Sequence, residues 1–562
     1  MKNKLLYSIV FILAVVAGAG LFALFTDISD KKHQERHYPL MLAKNDELKP
    51  DIREWGKNFP SQYDATVAMK DITFETPFAG SLPYSKLIRW PAASVFWQGY
   101  AFAVDYNRPR LHFYTQIDQI ETKRNDKEYL NAHGLPNFKG QPGFCVNCHT
   151  GHLTAIMNDP DYTQLHDKST RTKSFDLEMG FFAADKEKGE FKKEAWTKMN
   201  SIPYFDVMKM VESKHGKDAF GGSHLGSACA DCHHPEDMSL RVTRPGFVNA
   251  MVKRGYEADA RQGIKATRAQ MRDYVCMQCH VEYYPGLDAD LVFPWTKWTK
   301  DEPFKIEMFD EYYDEVHDNG KFAADYRHKQ TDAKMIKMQH PEAELHSTSV
   351  HARSGVTCVD CHMPYKREGA TKITNHTIQT PYADITAACK TCHMQSEDEL
   401  KDRISFIQNR HAYELRNCEN NLLALIQDIN VARAELAKHE KFASIADEKA
   451  RKEAISEALK EPLYAHRKAH IRWDFAFSEN SYGFHGPQEV ARITGQCQTV
   501  AREGQNSLVN ALAPYGITIA LTKEAKMPPA PEQITSHHAP VATPPSDRLK
   551  KIDEDVKNLN FK

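Results

Sequence analysis

The chain has 562 residues, with 73 Lys and Arg residues against 75 Asp and Glu residues. A chain of this length holds either several domains or one large domain filled with cofactors. Because the charges nearly cancel, composition gives no reason to expect a nucleic-acid partner, and we expect none. The 12 cysteines are more informative, since ten of them fall into one repeated motif.

The first predicted element is an apolar segment of 21 residues, from Leu5 to Phe25, preceded by Lys2 and Lys4. A membrane-spanning helix needs about 20 residues, whereas the apolar region of a signal peptide has about 7–15. This length favours an uncleaved anchor in residues 1–28, although the small residues at 17–20 still permit a cleaved signal. The lysines keep the N-terminus cytoplasmic and place the body on the periplasmic side. Residues 29–51 are predicted to be a polar tether.

Five C-x-x-C-H motifs follow: Cys145/Cys148/His149, Cys229/Cys232/His233, Cys276/Cys279/His280, Cys358/Cys361/His362 and Cys389/Cys392/His393. This motif is the attachment signature of c-type haem, in which the adjacent histidine is the proximal iron ligand. A single C-x-x-C could be a redox dithiol or half of a zinc site, but five copies that all end in histidine exclude that interpretation. The sequence therefore predicts five covalently bound haems c, which are attached on the same outer side of the membrane that the anchor predicts.

The motifs are spread irregularly over residues 145–393, which argues against a tandem array of identical modules. We expect a mainly α-helical multihaem cytochrome c, with the five haems in one domain over residues 52–523, where haems and helices share one core. After the last motif, Ser396 and Glu399 form a capping box that precedes a long helix with an apolar stripe. A second apolar stripe begins near Gln488. Packing against the haem core and a helix-to-helix dimer interface are both compatible with these stripes.

Two cysteines outside the haem motifs and a Pro-rich tail are the remaining features of the C-terminal region. Cys418 and Cys497 lie outside the haem motifs, on the apolar stripes of the two predicted helices. Buried free thiols and a disulfide are both compatible with an oxidising compartment. Residues 524–562 form a Pro-rich tail with few apolar residues, and this composition predicts disorder.

Five stretches resemble the ammonia-forming cytochrome c nitrite reductases, pentahaem enzymes that reduce nitrite to ammonium. The stretches are FWQGYAFAVDYNRPRLHFY, CMQCHVEYY, KMQHPE, VTCVDCHMP and RWDFAFSENSYGFHGPQE. They lie between about residue 90 and residue 500, in the order found in the family. The resemblance implies that the second to fifth haems each have a distal histidine ligand, in that order His376, His112, His485 and His351.

These four ligands leave the first haem, on His149, with an open coordination position, which substrate binding to iron requires. The sequence departs from the family pattern here. Most members mark the catalytic haem with C-x-x-C-K, whereas this chain has His149 in place of that lysine. The assignment of the open haem therefore rests on the order of the motifs and on the count of distal ligands.

The resemblance also implies that Arg124, Tyr283 and His340 form the substrate pocket. Arg124 would hold an oxygen of nitrite through a charge-assisted hydrogen bond. His340 would bond oxygen and pass protons, because the ordinary pKa of histidine is about 6.5. Tyr283 would donate to late species such as hydroxylamine. The alternatives are a solvated charged turn for Arg124, an axial ligand for His340 and a haem-packing role for Tyr283.

A calcium ion beside the catalytic haem is a further implication of the resemblance. Its ligands would be the carboxylate of Glu282, the backbone carbonyls of Tyr283 and Lys337, and the side chain of Gln339. All of these are oxygen donors, which a hard cation prefers. The alternative is an exposed glutamate and an ordinary Lys/Gln pair.

The activity implied is six-electron reduction of nitrite, with hydroxylamine and sulfite as further substrates. The implied electron donor is a membrane quinol-oxidising multihaem cytochrome c, and the implied assembly is a homodimer through the helices after residue 396. Two other hypotheses stay open from the residues. One is a pentahaem electron carrier in which His340 or another histidine caps the first haem. The other is a related multihaem enzyme that acts on hydroxylamine.

Overall fold

The computed structural model describes residues 2–36, 41–136, 140–159, 162, 202–285, 291–297, 304–318, 324–369, 371–531 and 554. Most of the predicted Pro-rich tail lies outside the described residues, as does the stretch 173–191 between the first two haem motifs.

The N-terminal helix α1 (Lys2–Arg36) contains a 26-residue apolar stretch, Lys4–Ser29, with a mean hydropathy of 2.6. Within the described part of the chain it is the one helix that is long and apolar enough to cross a membrane. The helix continues past the predicted end of the anchor at residue 28. Residues 41–51 are attached to the body, since the amides of Leu42 and Ala43 donate to Asn58 Oδ1 at 2.7 and 3.0 Å. The predicted tether is therefore partly helical and partly docked.

The described residues between 52 and 393 fold mainly into short helices, and the haem motifs lie within or next to them. The α-helices are α2 (Ile52–Gly56), α3 (Pro60–Ala68), α4 (Lys86–Arg89), α5 (Ala92–Phe96), α6 (Thr115–Ile120), α7 (Lys127–Ala132), α8 (Leu153–Asn158), α9 (Tyr204–His215), α10 (Pro245–Lys253), α11 (Arg268–Met277), α12 (Ile306–Asp318), α13 (Glu342–Ser347), α14 (Val350–Arg353), α15 (Cys358–His362) and α16 (Ile385–Ala388). The 3-10 helices of this described region are Met69–Asp71, Ala101–Ala103, His112–Tyr114, Lys123–Asn125, Gly143–Asn147, Cys229–Asp231, Pro294–Lys297 and Pro381–Asp384, and one more, Ala513–Tyr515, lies near the C-terminus.

The described strands form four antiparallel two-stranded pairs, β1 (Ala258–Asp259) with β2 (Gly263–Ile264), β3 (Tyr284–Pro285) with β4 (Leu291–Val292), β5 (Tyr326–Arg327) with β6 (Lys334–Met335), and β7 (Tyr365–Glu368) with β8 (Thr371–Thr374). The pairs β3–β4 and β5–β6 matter for function. They lead directly out of the third haem motif and into the segment that contains Lys337, Gln339 and His340.

Helix α11 leads into the third haem motif, and its side chains contact the fourth. It begins at a capping box between Thr267 and Gln270 and runs into the third motif. One turn before that motif, Asp273 Oδ1 accepts a hydrogen bond of 2.7 Å from the amide of Cys358, which begins the fourth motif. Arg272 on the same turn forms an ion pair with Asp360. These contacts hold the third and fourth haem peptides side by side.

The C-terminal region contains α17 (Glu397–Lys438), α18 (Glu440–Ala443), α19 (Glu448–Ala458), α20 (Lys460–Ser478) and α21 (Pro487–Leu512). The predicted capping box is confirmed, because Ser396 Oγ accepts from the Glu399 amide and Glu399 Oε2 accepts from the Ser396 amide. Most of the predicted apolar stripe of α17 is buried, from Ile404 to Ile429, whereas Leu400 and Ile407 are half-buried. A disulfide joins Cys418 on α17 to Cys497 on α21, with the Cα atoms 5.7 Å apart. Of the two alternatives for these cysteines, the structure has the disulfide.

Candidate active site

A cavity adjoins the first haem motif and encloses about 1450 Å³ of space outside protein atoms, including open solvent. Cys145 and His149 of the motif lie in its wall. The structure brings all three predicted pocket residues, Arg124, Tyr283 and His340, to the same cavity. Segments that are far apart in the sequence therefore meet beside one haem motif.

Arg124 is held by the loop that follows α6. The carboxylate of Asp105 accepts from Thr122 Oγ1 and from the Lys123 amide, both at 2.7 Å, and the carbonyl of Asp105 accepts from Arg124 Nη1 at 2.7 Å. The guanidinium lies 4.3 Å from the centre of the Phe102 ring. Arg124 is 7% exposed and forms no ion pair with a carboxylate among the described residues. It is a buried cation rather than part of a solvated turn.

Tyr283 and His340 supply neutral polar groups to the cavity. Burial raises the pKa of Tyr283 well above its usual range, so the phenol stays protonated and able to donate. Burial lowers the pKa of His340 well below its usual range, and the imidazoles of His280 and His149 act in the same direction. A neutral imidazole offers one N–H donor and one nitrogen acceptor, which suits exchange of protons with a bound oxygen.

Four of the five motif histidines face a second histidine ring. The ring centres of these pairs are 5.8–6.2 Å apart: His280 with His112, His233 with His376, His362 with His485, and His393 with His351. A metal-to-imidazole bond is about 2 Å and a ring nitrogen lies about 1 Å from the ring centre, so two imidazoles on one ion have centres about 6 Å apart. The separations fit bis-histidine ligation of haem iron.

These pairs are the same ones that the resemblance implies. Distance alone does not single them out, because His346 also lies 6.3 Å from His485. The four pairs differ from the His346–His485 pair because each of the four contains one motif histidine. His149 has no histidine ring at a comparable distance among the described residues.

The chemistry of the motifs also fits haem attachment. None of the ten motif cysteines forms a disulfide, so both thiols of each motif are available for thioether bonds. The Nδ1 atoms of three motif histidines face backbone carbonyls: His233 with Met238 at 2.8 Å, His362 with Gln379 at 3.0 Å, and His149 with Thr115 at 3.4 Å. Such a bond fixes the tautomer that leaves Nε2 free for the metal.

The fifth motif is more exposed than the other four. Cys392 is exposed, whereas the other nine motif cysteines are buried or half-buried. The physical reason is its position in the chain, because residues 391–396 are all exposed and lead directly into the N-terminus of α17. The motif spacing predicts which residues bond to a haem but does not predict how far their side chains are buried. The role of Cys392 in haem attachment stays a prediction.

The predicted calcium ligands are also brought together. Glu282 is fully buried, and its two carboxylate oxygens accept from the Tyr313 hydroxyl at 2.9 Å and the Gln339 amide at 2.5 Å. The side-chain amide of Gln339 lies 3.3 Å from the carbonyl of Lys337. Burial raises the pKa of Glu282 to about 8, although these hydrogen bonds and the charge of Lys337 act in the opposite direction. A buried carboxylate beside other oxygen donors fits a hard cation, and Glu282 is not the exposed glutamate of the alternative interpretation.

Residues 51–555 match the model of the family described as cytochrome c552. The chain belongs to the cytochrome c552 family. The cytochrome c-552 of Parabacteroides distasonis is 31% identical over 91% of this chain and 85% of its own length. The cytochrome c-552 of Bacteroides fragilis is 32% identical over 83% of this chain and 78% of its own length.

A solved cytochrome c nitrite reductase, the catalytic subunit from Desulfovibrio desulfuricans, has a TM-score of 0.64 and 25% identity to this chain. The match covers 84% of this chain and 89% of that one, and that protein is described as having two calcium sites. These findings confirm the family resemblance and the mainly helical multihaem fold. Membership of the cytochrome c552 family also makes haem c the cofactor of the C-x-x-C-H motifs.

Sequence reasoning missed a residue that organises the site. Asp474 on α20 is fully buried, and its carboxylate accepts from Lys337 Nζ at 2.9 Å and from the Met338 amide at 2.8 Å. It thereby fixes the segment that carries Gln339 and His340. Asp474 stands within the RWDFAF part of a recognised stretch, but nothing in its spacing pointed to this contact.

Proposed function

We propose that the protein reduces nitrite to ammonium at the haem bound through Cys145, Cys148 and His149. One observation carries the proposal. The cavity that contains a buried arginine, a tyrosine and a histidine lies beside the one motif histidine that faces no second histidine among the described residues. The similarity to a solved cytochrome c nitrite reductase supports the same substrate.

The reaction consumes one nitrite, six electrons and eight protons, and it releases one ammonium and two water molecules. The haem supplies the electrons and a coordination position for the nitrogen of the substrate. Arg124 binds an oxygen of nitrite and offsets its negative charge, and its burial strengthens that interaction. His340 exchanges protons with the oxygens that leave as water. Tyr283 donates a hydrogen bond to the later, less oxidised nitrogen species.

In this proposal, the four haems that the histidine pairs would ligate transfer electrons to the haem on His149. Electrons come from a membrane quinol-oxidising multihaem cytochrome c on the periplasmic side, where α1 anchors the protein unless it is cleaved as a signal.

Helices α17 and α21 expose side chains such as Phe406 and Val509, which suits a homodimer through this region. Residues 52–523 act as one catalytic domain, and hydroxylamine and sulfite are further substrates.

A calcium ion beside this haem completes the proposed site. Its ligands are the Glu282 carboxylate, the carbonyls of Tyr283 and Lys337, and the Gln339 side chain. The ion offsets the charge of the buried glutamate and joins the two segments that carry Tyr283 and His340. The similar structure from Desulfovibrio desulfuricans, described as having two calcium sites, supports this proposal.

The test is an assay of the purified, haem-loaded protein with reduced viologen and isotopically labelled nitrite. We expect labelled ammonium and six electrons consumed per nitrite. Arg124→Ala and His340→Ala should each lower kcat/KM for nitrite about 100-fold, the loss typical of a removed transition-state donor. Matched controls are Arg261→Ala, whose residue is paired with Asp237 at the surface, and the exposed His133→Ala.

Two outcomes would overturn the proposal. One is that protein with all five haems attached forms no ammonium. The other is that both pocket variants turn over nitrite as fast as the two control variants do.

A further inference from the structure

Besides Arg124, the cavity wall holds a second buried cation without a carboxylate partner among the described residues, Lys86, which the family resemblance does not include. Lys86 is the first residue of α4 and is 4% exposed. Its backbone amide donates to the Tyr106 carbonyl at 2.8 Å, and Ser85 caps the helix by accepting from the Ile88 amide at 3.4 Å. The backbone therefore holds the lysine at the wall of the cavity.

The ammonium group of Lys86 contacts only neutral groups among the described residues. Nζ lies 3.2 Å from Asn480 Oδ1 and 3.5 Å from the Tyr106 hydroxyl. It also lies 4.8 Å from the centre of the Tyr106 ring and 5.6 Å from that of Phe477. No carboxylate in the described part of the chain forms an ion pair with it.

Other cations in the same wall are neutralised. Arg108 pairs with Glu75 at 2.6 Å, and Lys337 pairs with Asp474 at 2.9 Å. Lys86 and Arg124 are left without a carboxylate among the described residues, and both line the cavity. Burying a cation is costly unless an anion pairs with it, so this arrangement suits a cavity that receives an anion.

The effect on a neighbouring phenol supports this view of the cavity. Burial acts to raise the pKa of Tyr106, but the charges of Lys86 and Lys337 outweigh it, and the pKa is lowered. The positive charges at this wall therefore stabilise a negative group by more than burial destabilises it.

We propose that Lys86 is a second oxyanion-binding residue, which together with Arg124 selects anionic substrates over uncharged ones. This inference rests on the proposed nitrite reduction. Nitrite carries a negative charge, whereas hydroxylamine is mainly uncharged at neutral pH. Lys86 therefore contributes to the binding of nitrite and contributes little to the binding of hydroxylamine. The carboxylates of the haem itself offer the same chemistry and are the rival source of the anion.

The experiment uses Lys86→Met, which removes the charge at similar length, and Lys86→Arg, which keeps it. We expect Lys86→Met to raise both the KM and the equilibrium Kd for nitrite about tenfold, as loss of a charged hydrogen bond implies. The Kd is followed by the absorbance of the oxidised haem. The KM for hydroxylamine should stay unchanged, and Lys86→Arg should restore most of the nitrite affinity. The control is Lys265→Met, because Lys265 pairs with Glu257 at the surface.

Haem content and thermal midpoint are measured first, and Lys86→Gln, which keeps a hydrogen-bond donor towards Asn480, is the second variant. Two results would assign Lys86 to the haem carboxylates and overturn the inference. One is an equal rise of the KM for nitrite and for hydroxylamine. The other is a shift of the haem reduction potential measured in the absence of nitrite. Wild-type protein that binds nitrite but forms no ammonium would refute the proposed reaction alone. Normal ammonium formation with an unchanged nitrite Kd in Lys86→Met would refute the role of Lys86 alone.

Discussion

Nδ1 of His485 lies 2.6 Å from Oε1 of Glu479, and that carboxylate is almost completely buried. Glu479 is fixed in place by the backbone amides of Ser481 at 2.7 Å and Gly483 at 3.0 Å. The corresponding atom of His376, another predicted distal ligand, faces the neutral carbonyl of Thr374 at 2.8 Å. Predicted ligands of the same type thus have partners of different charge.

This difference predicts a difference in haem potential. A carboxylate partner makes a histidine ligand more basic and stabilises ferric iron, which lowers the reduction potential. Glu479→Gln should therefore raise the potential of the haem on Cys358 and Cys361. Spectropotentiometric titration measures this shift, and the other haems of the same variant are the internal control. Unchanged potentials for all five haems would contradict the role of Glu479.

Calcium removal should destabilise the protein. An ion that binds only the folded state stabilises it by about 2.7 kcal/mol at 100 times its Kd. A chelator should therefore lower the thermal midpoint, and added calcium should restore it. Glu282→Gln should abolish this calcium dependence, whereas the exposed Glu257→Gln should keep it. A thermal midpoint of the wild type that is the same with chelator and with calcium would rule out the site.

The disulfide between Cys418 and Cys497 should stabilise the packing of α17 against α21. It connects residues separated by 79 positions, and a cross-link of this kind is typically worth about 2–4 kcal/mol. The double variant Cys418→Ala, Cys497→Ala should lose this amount in denaturant unfolding while it retains all five haems. Thiol labelling of wild-type protein in denaturant should find neither cysteine reactive without a reductant. Two reactive thiols would show that the bond does not form.

Glu419 should make stability depend on pH. Burial raises its pKa to about 7, against the charge of Arg416 and the indole N–H of Trp473, which donates at 3.2 Å. Between pH 4.5 and 7 the folded state keeps a proton that the unfolded state has lost, so the stability contributed by Glu419 falls as pH rises.

Glu419→Gln should remove this dependence. Relative to wild type, the free energy of unfolding of the variant should increase across the window by up to roughly 3 kcal/mol. Thermal and denaturant unfolding at a series of pH values measure the difference. The control is Glu435→Gln, on the exposed side of the same helix. A difference between variant and wild type that is constant with pH would contradict the assignment.

The motifs made the haem peptides predictable, and the family resemblance made the histidine pairs and the pocket residues predictable. Other parts could not be predicted for physical reasons. Lys86 stands in no motif, and its unpaired burial depends on contacts with distant residues such as Asn480. Helix α20 was missed because its buried residues include a polar stripe as well as apolar side chains. His466, His470, Asp474 and Ser478 recur every four residues and are all fully buried, so a search for apolar periodicity passes over them.

The spin state of the oxidised iron on His149 tests the central claim most directly. Electron paramagnetic resonance and magnetic circular dichroism of the fully loaded protein distinguish six-coordinate bis-histidine haems from a haem with an open position. The account predicts four low-spin haems and one high-spin haem, with only the high-spin signal changing when nitrite is added. Five low-spin haems, unaffected by nitrite, would contradict it and identify the protein as an electron carrier.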